Sequence, residues 1–187
     1  MKICILTIAT NKYIQFVEQL LESVEENFLN GHDISALVFT DHEIEEVSDN
    51  VKISIFGDLV ATQHPGFWWK DKDQFSYERR PQSTAYVPEG EGKMYYAGGF
   101  NGGKPEQFLK MSQAIVDNVE KDWEKGLIAV WHDESHMNRY LIDNPPTVEL
   151  NPSYCYPEAA RINPGGWNVP FDAKIVALEK NHAAVRS

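Results

Sequence analysis

Two adjacent carboxylic acids, Asp133 and Glu134, lie in residues 131–136 (WHDESH) and are the first candidates for chemistry. A carboxylate can attack an electrophilic carbon or stabilise a cationic transition state. The pair follows residues 127–131, an apolar run that predicts a β-strand. Because ligand sites in α/β sheets form where strands end, the sequence favours a site at this pair. The alternative fits the spacing equally well: Asp133 caps a helix and Glu134 is exposed.

The histidines of this run, His132 and His136, stand four residues apart, as zinc ligands do in H-E-x-x-H. In that motif the glutamate directly follows the first histidine. Glu134 is instead two residues on from His132, which is about 200° around a helix. It could not serve a water molecule held between the two imidazoles, so the pattern disfavours zinc.

A glycine-rich run at 98–104 (GGFNGGK) matches the G-x-x-x-x-G-K pattern of phosphate-binding loops. Such loops need Ser or Thr next, because that hydroxyl holds Mg²⁺, but Pro105 follows here. The sequence therefore predicts a tight turn whose backbone closely approaches a ligand or another backbone segment. Residues 71–73 (DKD) have the D-x-D form of a cation site, yet chance explains such a match in a chain with 28 acidic residues.

Aromatic rings on loops and a cationic C-terminal segment are further candidates for ligand contact. Such rings can stack on the apolar faces of sugars, and ordinary packing is the alternative. The tryptophans in or beside predicted loops are Trp68, Trp69, Trp131 and Trp167. In residues 179–186 (EKNHAAVR), Lys180, His182 and Arg186 could hold a diphosphate, or they could form a frayed basic tail.

The composition limits the classes of protein that these residues could serve. The chain has 187 residues, 42% of them hydrophobic, and a net charge of −11. This length fits one domain with a core, and the negative charge disfavours general binding to nucleic acid or anionic membranes. No apolar run approaches the ~20 residues of a membrane span, and no secretory cleavage site follows the first residues. Two cysteines make no disulfide framework, so we expect a soluble, cytoplasmic protein.

The elements that must position these residues follow from hydrophobic periodicity. Residues 2–9 and 34–40 predict buried strands, and the apolar positions between Ile14 and Phe28 recur at helical spacing. This β–α–β order begins an α/β domain of the nucleotide-binding type. The other predicted elements are strands at 51–56, 59–63, 94–97, 127–131 and 174–178, helices at 108–123 and 133–143, and loops at 41–50 and 65–92.

Taken together, the longer runs of the chain resemble glycosyltransferase family 6. The runs that carry the resemblance are 64–67 (HPGF), 75–83 (FSYERRPQS) with 85–86 (AY), 95–100 (YYAGGF) with 102–103 (GG), 129–136 (AVWHDESH), 180–182 (KNH) and 184–186 (AVR). Ala9, Lys12, Tyr13 and the predicted strand end 38–41 (VFTD) match as well, so the resemblance covers nearly the whole chain. Y-E-R-R together with W-H-D-E-S is far more specific than any single motif above.

The resemblance implies a GT-A (Rossmann-like) α/β fold and a retaining hexosyltransferase. Such an enzyme moves N-acetylgalactosamine (GalNAc) or galactose (Gal) from a UDP-sugar to O3 of a galactoside, with or without fucose. Glu134 falls at the family's nucleophile or stabilising carboxylate. The residues at donor-contacting positions are Ile8, Ala9, Thr10, Tyr13, Ala97, Gly99, Asp133, Lys180 and Arg186. The residues at acceptor-contacting positions are His64, Ser76 and Trp131, with Glu158 as the carboxylate nearest to a position where animal members carry Asp.

One departure from the family is large. Between Glu46 and Val47 the resemblance omits a block of roughly 60 residues, more than one βαβ unit. In the family that block carries further nucleotide contacts and the metal motif, which residues 71–73 cannot replace because they align elsewhere. We therefore expect one domain with a shortened nucleotide- and metal-binding part at 1–46, an acceptor and catalytic part at 47–187, and no metal cofactor.

Two other functions stay open at this point. The first is a glycan-binding module that has lost donor binding together with the omitted block. The second is a glycoside hydrolase that pairs Glu134 with Glu78 or Asp133. Adjacent residues point to different faces, which makes Asp133 and Glu134 a poor pair of acid and nucleophile.

Overall fold

The N-terminal part of the structure is a β–α–β unit. The computed structural model describes residues 2–8, 11–27, 33–39, 58–163 and 166–179. Strand β1 (Lys2–Ile8) is followed by a 3₁₀ helix (Asn11–Phe16) that runs into α1 (Val17–Asn27). Strand β2 (Asp33–Phe39) then pairs parallel with β1 along its whole length. The predicted order of strand, helix and strand is confirmed.

A second sheet has three strands in the order β4–β3–β5. Strand β3 (Leu59–Gln63) pairs antiparallel with β4 (Tyr96–Gly103) and parallel with β5 (Val148–Leu150). The register shifts after Ala61, so residues 98–100 of β4 have no partner on β3 and form a bulge. Bulges of this kind bend a strand and redirect its backbone groups.

The glycine-rich run belongs to β4, and the predicted short strand at 94–97 followed by a tight turn is wrong. The strand continues to Gly103, whose missing side chain allows close contact with its neighbour. A Cβ at Gly103 would overlap the carbonyl oxygen of Asp58. The predicted close approach of backbone to backbone is confirmed there, although it occurs between strand and neighbour and not in a phosphate loop.

Three α-helices lie in the C-terminal part. Helix α2 (Pro105–Glu124) begins with a proline in its first turn and stops before Gly126, which adopts a φ of +69°. Helix α3 (His132–Asp143) ends before two prolines, as predicted, and α4 (Glu158–Ile162) is short. None of the described helices is long and apolar enough to cross a bilayer.

The apolar stripe of α2 is buried in part. Met111 is 2% exposed, whereas Trp123 at the C-terminal end is 70% exposed. The apolar positions of α2 therefore do not form a packed face as far as its last turn. Helix α2 has 20 residues and α3, which packs against it, has 12, so α2 extends about 12 Å beyond the length that α3 can cover.

Residues 127–131 do not form the predicted strand. Two of their backbone groups bond to side chains: the Val130 N–H donates to Glu78 at 2.8 Å, and the Ile128 carbonyl accepts a hydrogen bond from Arg80. These contacts satisfy backbone groups that a strand would pair in a ladder. The apolar pattern misled because Ile128 and Val130 are exposed.

Short elements complete the described chain. Strands β6 (Tyr156–Pro157) and β7 (Val176–Ala177) pair in parallel, so the strand predicted at 174–178 is present but short. Strand β3 has the predicted bounds. The predicted loop at 65–92 is irregular apart from a 3₁₀ turn at Lys72–Gln74 and an isolated β-bridge between Glu78 and Tyr86. The elements predicted at 41–50 and 51–56 lie outside the described residues.

Two buried clusters hold the mixed α/β structure together around the sheet. One joins β3 and β4 to helices α2 and α3 and consists of Leu59, Ala61, Tyr96, Met111, Met137 and Leu141. The other lies beneath the irregular segment before β4 and consists of Phe75, Tyr77, Val87 and Tyr95. Burial of each large apolar side chain contributes about 2 kcal/mol, so these clusters contribute much of the stability of this part of the fold.

Candidate active site

Glu134 lies where the first turn of α3 meets the bulge of β4. Its Oε1 accepts a hydrogen bond from the Tyr95 hydroxyl at 2.9 Å, and its Oε2 accepts one from the Gly98 N–H at 2.7 Å. The Tyr95 side chain is fully buried. Both oxygens are thus held by neutral donors that fix the direction of the carboxylate.

The absence of a side chain at Gly98 lets Glu134 approach the strand closely. A Cβ at Gly98 would lie 3.3 Å from Glu134 Cβ and 3.4 Å from its Oε2. The bulge at 98–100 frees the Gly98 N–H from pairing with β3, so that it can donate to Glu134. Tyr95 and Gly98 were not predicted as partners of Glu134, and the run of glycines was the signal that could have indicated a close contact.

Glu134 is partly buried and forms no ion pair with any of the described residues. Burial raises its pKa above the ordinary value of 4.5, and the bonds from Gly98 and Tyr95 oppose that rise only in part. In the described part of the chain, no Lys or Arg forms an ion pair with this carboxylate. A desolvated carboxylate of fixed direction suits nucleophilic attack or stabilisation of a cation.

The prediction that Asp133 caps helix α3 is wrong. The residue that precedes the helix is Trp131, so Asp133 is not the N-cap; it is exposed in the first turn of α3. The Trp131 N–H donates to Ser135 Oγ at 3.0 Å, and the Glu134 N–H donates to the Trp131 carbonyl at 3.1 Å. These bonds satisfy amides at the start of the helix and place the Asp133 carboxylate in solvent.

Trp131 and Ser76 come together beside this turn. The Trp131 indole N–H donates to Ser76 Oγ at 2.6 Å, and the indole is 50% exposed. Trp131 therefore has exposed surface that a ligand can contact, while the hydrogen bond restricts the orientation of the ring.

His64 contacts Tyr95 edge to face, with 5.7 Å between the ring centroids. Burial, and after it the charge of Lys70, lowers the pKa of His64 to about 4, so the ring is neutral at pH 7. Its Nδ1 accepts the Gly66 N–H at 3.0 Å. The proton of the neutral ring is therefore on Nε2, which can donate to a ligand.

Ala97 and Gly99 flank Gly98 on β4, close to Glu134. Ala97 is 2% exposed, and a Cβ at Gly99 would lie 3.0 Å from Cys155 Sγ. Any ligand group that reaches Gly99 thus meets little side-chain bulk from the strand.

Glu158, at the start of α4, is engaged with the backbone. Its Oε2 accepts the Glu179 N–H at 2.8 Å, so it holds the segment that leads to residue 180. Whether this carboxylate contacts an acceptor stays a prediction.

The predicted donor contacts in the N-terminal part are described only in part. Ile8 ends β1 and Tyr13 lies in the 3₁₀ helix that follows. Four further predicted donor contacts lie outside the described residues: Ala9, Thr10, Lys180 and Arg186.

The two histidines of the WHDESH run lie in different surroundings. His132 is exposed and has a φ of +51°, whereas His136 is buried beside Asp122, with 3.9 Å between Nε2 and Oδ2. Asp122 in turn accepts hydrogen bonds from the Ser83 hydroxyl and from the Thr84 N–H, so it ties α2 to the segment at 83–84. Within residues 2–8, 11–27, 33–39, 58–163 and 166–179, no cluster of three or more His, Cys, Asp or Glu could hold a metal ion.

The family model and the relatives that match this chain all describe proteins that transfer sugars. The sequence profile described as "Glycosyltransferase family 6" matches residues 43–187. The chain is 31% identical to histo-blood group ABO system transferase 1 of Rattus norvegicus over 236 residues, which is 96% of this chain and 67% of that protein. It is 26% identical to globoside alpha-1,3-N-acetylgalactosaminyltransferase 1 of Homo sapiens over 235 residues, with 96% and 67% covered.

A third relative covers less of both proteins. Globoside alpha-1,3-N-acetylgalactosaminyltransferase 1 of Gallus gallus is 34% identical over 131 residues, which is 70% of this chain and 37% of that protein. The two longer alignments, over 236 and 235 residues, run over more positions than the 187 residues of this chain. Those relatives therefore contain residues, within the matched region, that have no counterpart here.

Proposed function

The chain belongs to glycosyltransferase family 6, and we propose that it transfers GalNAc or Gal from a UDP-sugar to O3 of a galactoside with retention of configuration. The names of the relatives, ABO system transferase and alpha-1,3-N-acetylgalactosaminyltransferase, support this substrate class. The observation that carries the proposal is Glu134, a partly buried carboxylate held by Tyr95 and Gly98, with which no Lys or Arg of the described residues forms an ion pair.

Glu134 supplies the carboxylate that retention requires. It faces C1 of the sugar on the side opposite UDP, and the bond from C1 to the phosphate oxygen breaks with its electron pair leaving on UDP. Glu134 either forms a bond to C1, which breaks when the acceptor oxygen attacks, or stabilises the oxocarbenium-like state until that attack. In both cases the acceptor hydroxyl gives its proton to the departing phosphate oxygen of UDP. The Gly98 N–H and the Tyr95 hydroxyl keep the carboxylate in one direction, which limits the reorganisation needed during the step.

Two small residues define the donor preference that we propose. Ala97 and Gly99 are adjacent to the Glu134 contact and carry little side-chain volume. Ala97 is buried and Gly99 is exposed, so the room for the N-acetyl group of GalNAc lies at Gly99, and we propose GalNAc as the preferred donor sugar. Lys180 and Arg186, at the positions implied by the family resemblance, stabilise the negative charge that develops on UDP.

The acceptor galactoside binds over Trp131 in this proposal. The half-exposed indole stacks on the apolar face of the sugar, and its plane is fixed by the bond to Ser76. The neutral His64 donates from Nε2 to a hydroxyl of the acceptor. A bound acceptor in this place also shields Glu134 from water, which suppresses hydrolysis of the donor.

We also propose that transfer proceeds without a metal cofactor, because the chain lacks a match to the family's metal motif. The exposed carboxylates of Asp71 and Asp73 belong to a different segment. An assay in the presence of a chelator tests this part by itself. Turnover that is unchanged in excess EDTA supports it, and turnover that is lost in EDTA and restored by Mn²⁺ contradicts it.

A second function, a glycan-binding module, is favoured by one observation. The relatives contain residues within the matched region that have no counterpart here, and donor binding could depend on them. Calorimetric titration separates the two functions. UDP binding together with slow hydrolysis of a UDP-sugar supports the transferase, and galactoside binding without UDP binding supports the module.

Product analysis is the main test of the proposed function. The protein is incubated with UDP-GalNAc or UDP-Gal and with a fucosylated or unfucosylated galactoside, each with and without Mn²⁺. We expect a product with an α-linkage at O3, identified by NMR. A β-linked product, or no product from any combination, contradicts the proposal.

A further inference from the structure

Helix α3 docks on the edge of β4 through two of its side chains. Asn138 and Glu134 lie four residues apart on α3, and they bond to Tyr96 and Gly98, which are alternate residues of β4. Alternate strand residues present their backbone groups to the same edge about 6.8 Å apart, and helix residues four apart are separated by about 6 Å along the axis. The matching distances make the two pairs a short ladder between helix and strand.

Asn138 uses all its hydrogen-bonding groups at this ladder. Its Oδ1 accepts the Tyr96 N–H at 2.8 Å, and its Nδ2 donates to the Tyr96 carbonyl at 2.8 Å and to the Glu134 carbonyl at 2.9 Å. One acceptor faces an N–H and both donors face carbonyls, so these partners fix the orientation of the amide. Asn138 is 1% exposed, and losing these bonds leaves buried backbone groups unpaired.

The ladder connects the strand before the bulge to the helical turn that carries Glu134. Tyr96 lies just before the bulge at 98–100, and the Asn138 amide ties its backbone to the helical turn that carries Glu134. A helix that slipped by one residue on the strand would move Glu134 by about 1.5 Å along the axis and 100° around it. Glu134 would then miss the Gly98 N–H, which is 2.7 Å away in this register.

We propose that Asn138 is a positioning residue that sets the register of α3 on β4 and thereby holds the Glu134 carboxylate against the Gly98 N–H. The kinetic consequence rests on the proposed function, because it presumes that Glu134 acts on a donor sugar. The geometric consequence concerns only the Gly98 amide. It can be measured without any substrate.

Asn138→Leu tests the proposal, with Leu141→Ala as its control. Leu141 is a buried residue of the same helix that packs in the core and takes no part in the ladder. Hydrogen exchange of the Gly98 amide is followed by NMR in ¹⁵N-labelled protein. We expect exchange at least about tenfold faster in Asn138→Leu at matched global stability, since the amide loses its partner, and no selective change in Leu141→Ala.

Kinetics provide the second readout. In Asn138→Leu we expect kcat to fall by about tenfold or more while KM for the UDP-sugar stays within about twofold, because the donor still binds but Glu134 is misdirected. Leu141→Ala should leave kcat within about twofold of the wild type at a temperature where both are folded. If Asn138→Leu does not fold, Asn138→Asp carries the test, because its carboxylate keeps the bond from Tyr96 N–H and loses both donated bonds.

The outcomes separate this proposal from the proposed function. Unchanged exchange of the Gly98 amide in both Asn138 variants overturns the positioning role. An equal fall of kcat in Asn138→Leu and Leu141→Ala also overturns it, since that result indicates a general loss of packing. A wild-type protein that transfers no sugar contradicts the transferase function, and the amide measurement then still decides the role of Asn138.

Discussion

Two carboxylates, Glu78 and Glu134, are withdrawn from solvent close to the start of α3 and have opposite surroundings. Glu78 is 2% exposed, pairs with Arg80 at 2.6 Å and accepts the Val130 N–H at 2.8 Å. Glu134 is held only by the neutral donors Tyr95 and Gly98 among the described residues. The side-chain bond from Arg80 lowers the pKa of Glu78 to about 2, whereas burial raises the pKa of Glu134.

The difference shows how one side-chain type performs two tasks. Glu78 has its charge compensated, so it can organise backbone at 127–131 but has little basicity left for chemistry. Glu134 is partly desolvated and has no counter-charge among the described residues, which keeps its electron pairs available to an electrophilic carbon. The ion pair with Arg80 therefore helps Glu78 to place the segment before the helix, and Glu134 forms no such pair among the described residues.

The largest expected effect follows from Glu134→Gln. The amide keeps the shape and can accept the Gly98 N–H, but it has no charge to offer an anomeric carbon. We expect kcat to fall by at least about 10³-fold while UDP binding, measured by calorimetry, stays unchanged. The exposed Glu124→Gln on α2 serves as control and should retain full turnover.

The same substitution also tests the raised pKa. A raised folded-state pKa means that the ionised Glu134 costs stability at neutral pH and that this cost is absent below the ordinary pKa. We expect Glu134→Gln to be at least as stable as the wild type at pH 7. A marked loss of stability would show that Glu134, like Glu78, is mainly structural.

Glu78→Gln should have its largest effect on stability. We expect a loss of about 2 kcal/mol in the free energy of unfolding at pH 7. Arg80 is 48% exposed, so solvent screening keeps this loss below the about 3–5 kcal/mol typical of a fully buried pair. Denaturant unfolding measures the loss, and the exposed Glu89→Gln is the matched control.

The pH dependence of that loss has a definite sign. Because folding lowers the pKa of Glu78 from 4.5 to about 2, its contribution is complete above about pH 4.5 and disappears as the pH falls toward 2. The wild type and Glu78→Gln should therefore converge in stability in acid. A difference that is the same at pH 7 and pH 3 would contradict the ion-pair explanation.

Gly98→Ala should have an intermediate effect on activity. The new Cβ would lie 3.3 Å from Glu134 Cβ and would push the carboxylate out of line, so we expect kcat to fall by roughly tenfold. Gly102→Ala on the same strand is the control, because a Cβ there meets nothing within 4 Å. Equal kinetics of the two variants would show that the Glu134 contact does not limit turnover.

Tyr95→Phe should have the smallest effect. Glu134 keeps the Gly98 bond and loses only the hydroxyl donor, so we expect kcat to fall by about fivefold. Tyr96→Phe is a closely matched control, because its hydroxyl donates at 2.6 Å to Glu149 and not to Glu134. A larger loss in Tyr96→Phe than in Tyr95→Phe would contradict the assignment.

Local patterns predicted much of the fold. The N-terminal β–α–β unit, β3 and the helices at α2 and α3 follow from apolar periodicity and from Gly and Pro signals, which act over a few residues. The strand prediction at 127–131 was wrong because Glu78 and Arg80, about 50 positions away, bond to the backbone there. No local pattern reports such a contact.

The candidate site was predictable only in part. The resemblance singled out Glu134, Trp131 and Ser76, and the structure places these side chains around the start of α3. Tyr95 and Asn138 were not singled out, because their roles depend on the register between α3 and β4. That register is a property of the packed structure and has no signature in sequence spacing.

The most direct test of Glu134 as the reactive carboxylate is chemical rescue of Glu134→Ala by azide. The truncation leaves a space in which azide can reach C1 on the face opposite UDP. We expect transfer to the galactoside to be lost and a β-configured glycosyl azide to form from the UDP-sugar, identified by NMR. Transfer to the galactoside at the wild-type rate, or an azide product of α configuration, would contradict the account.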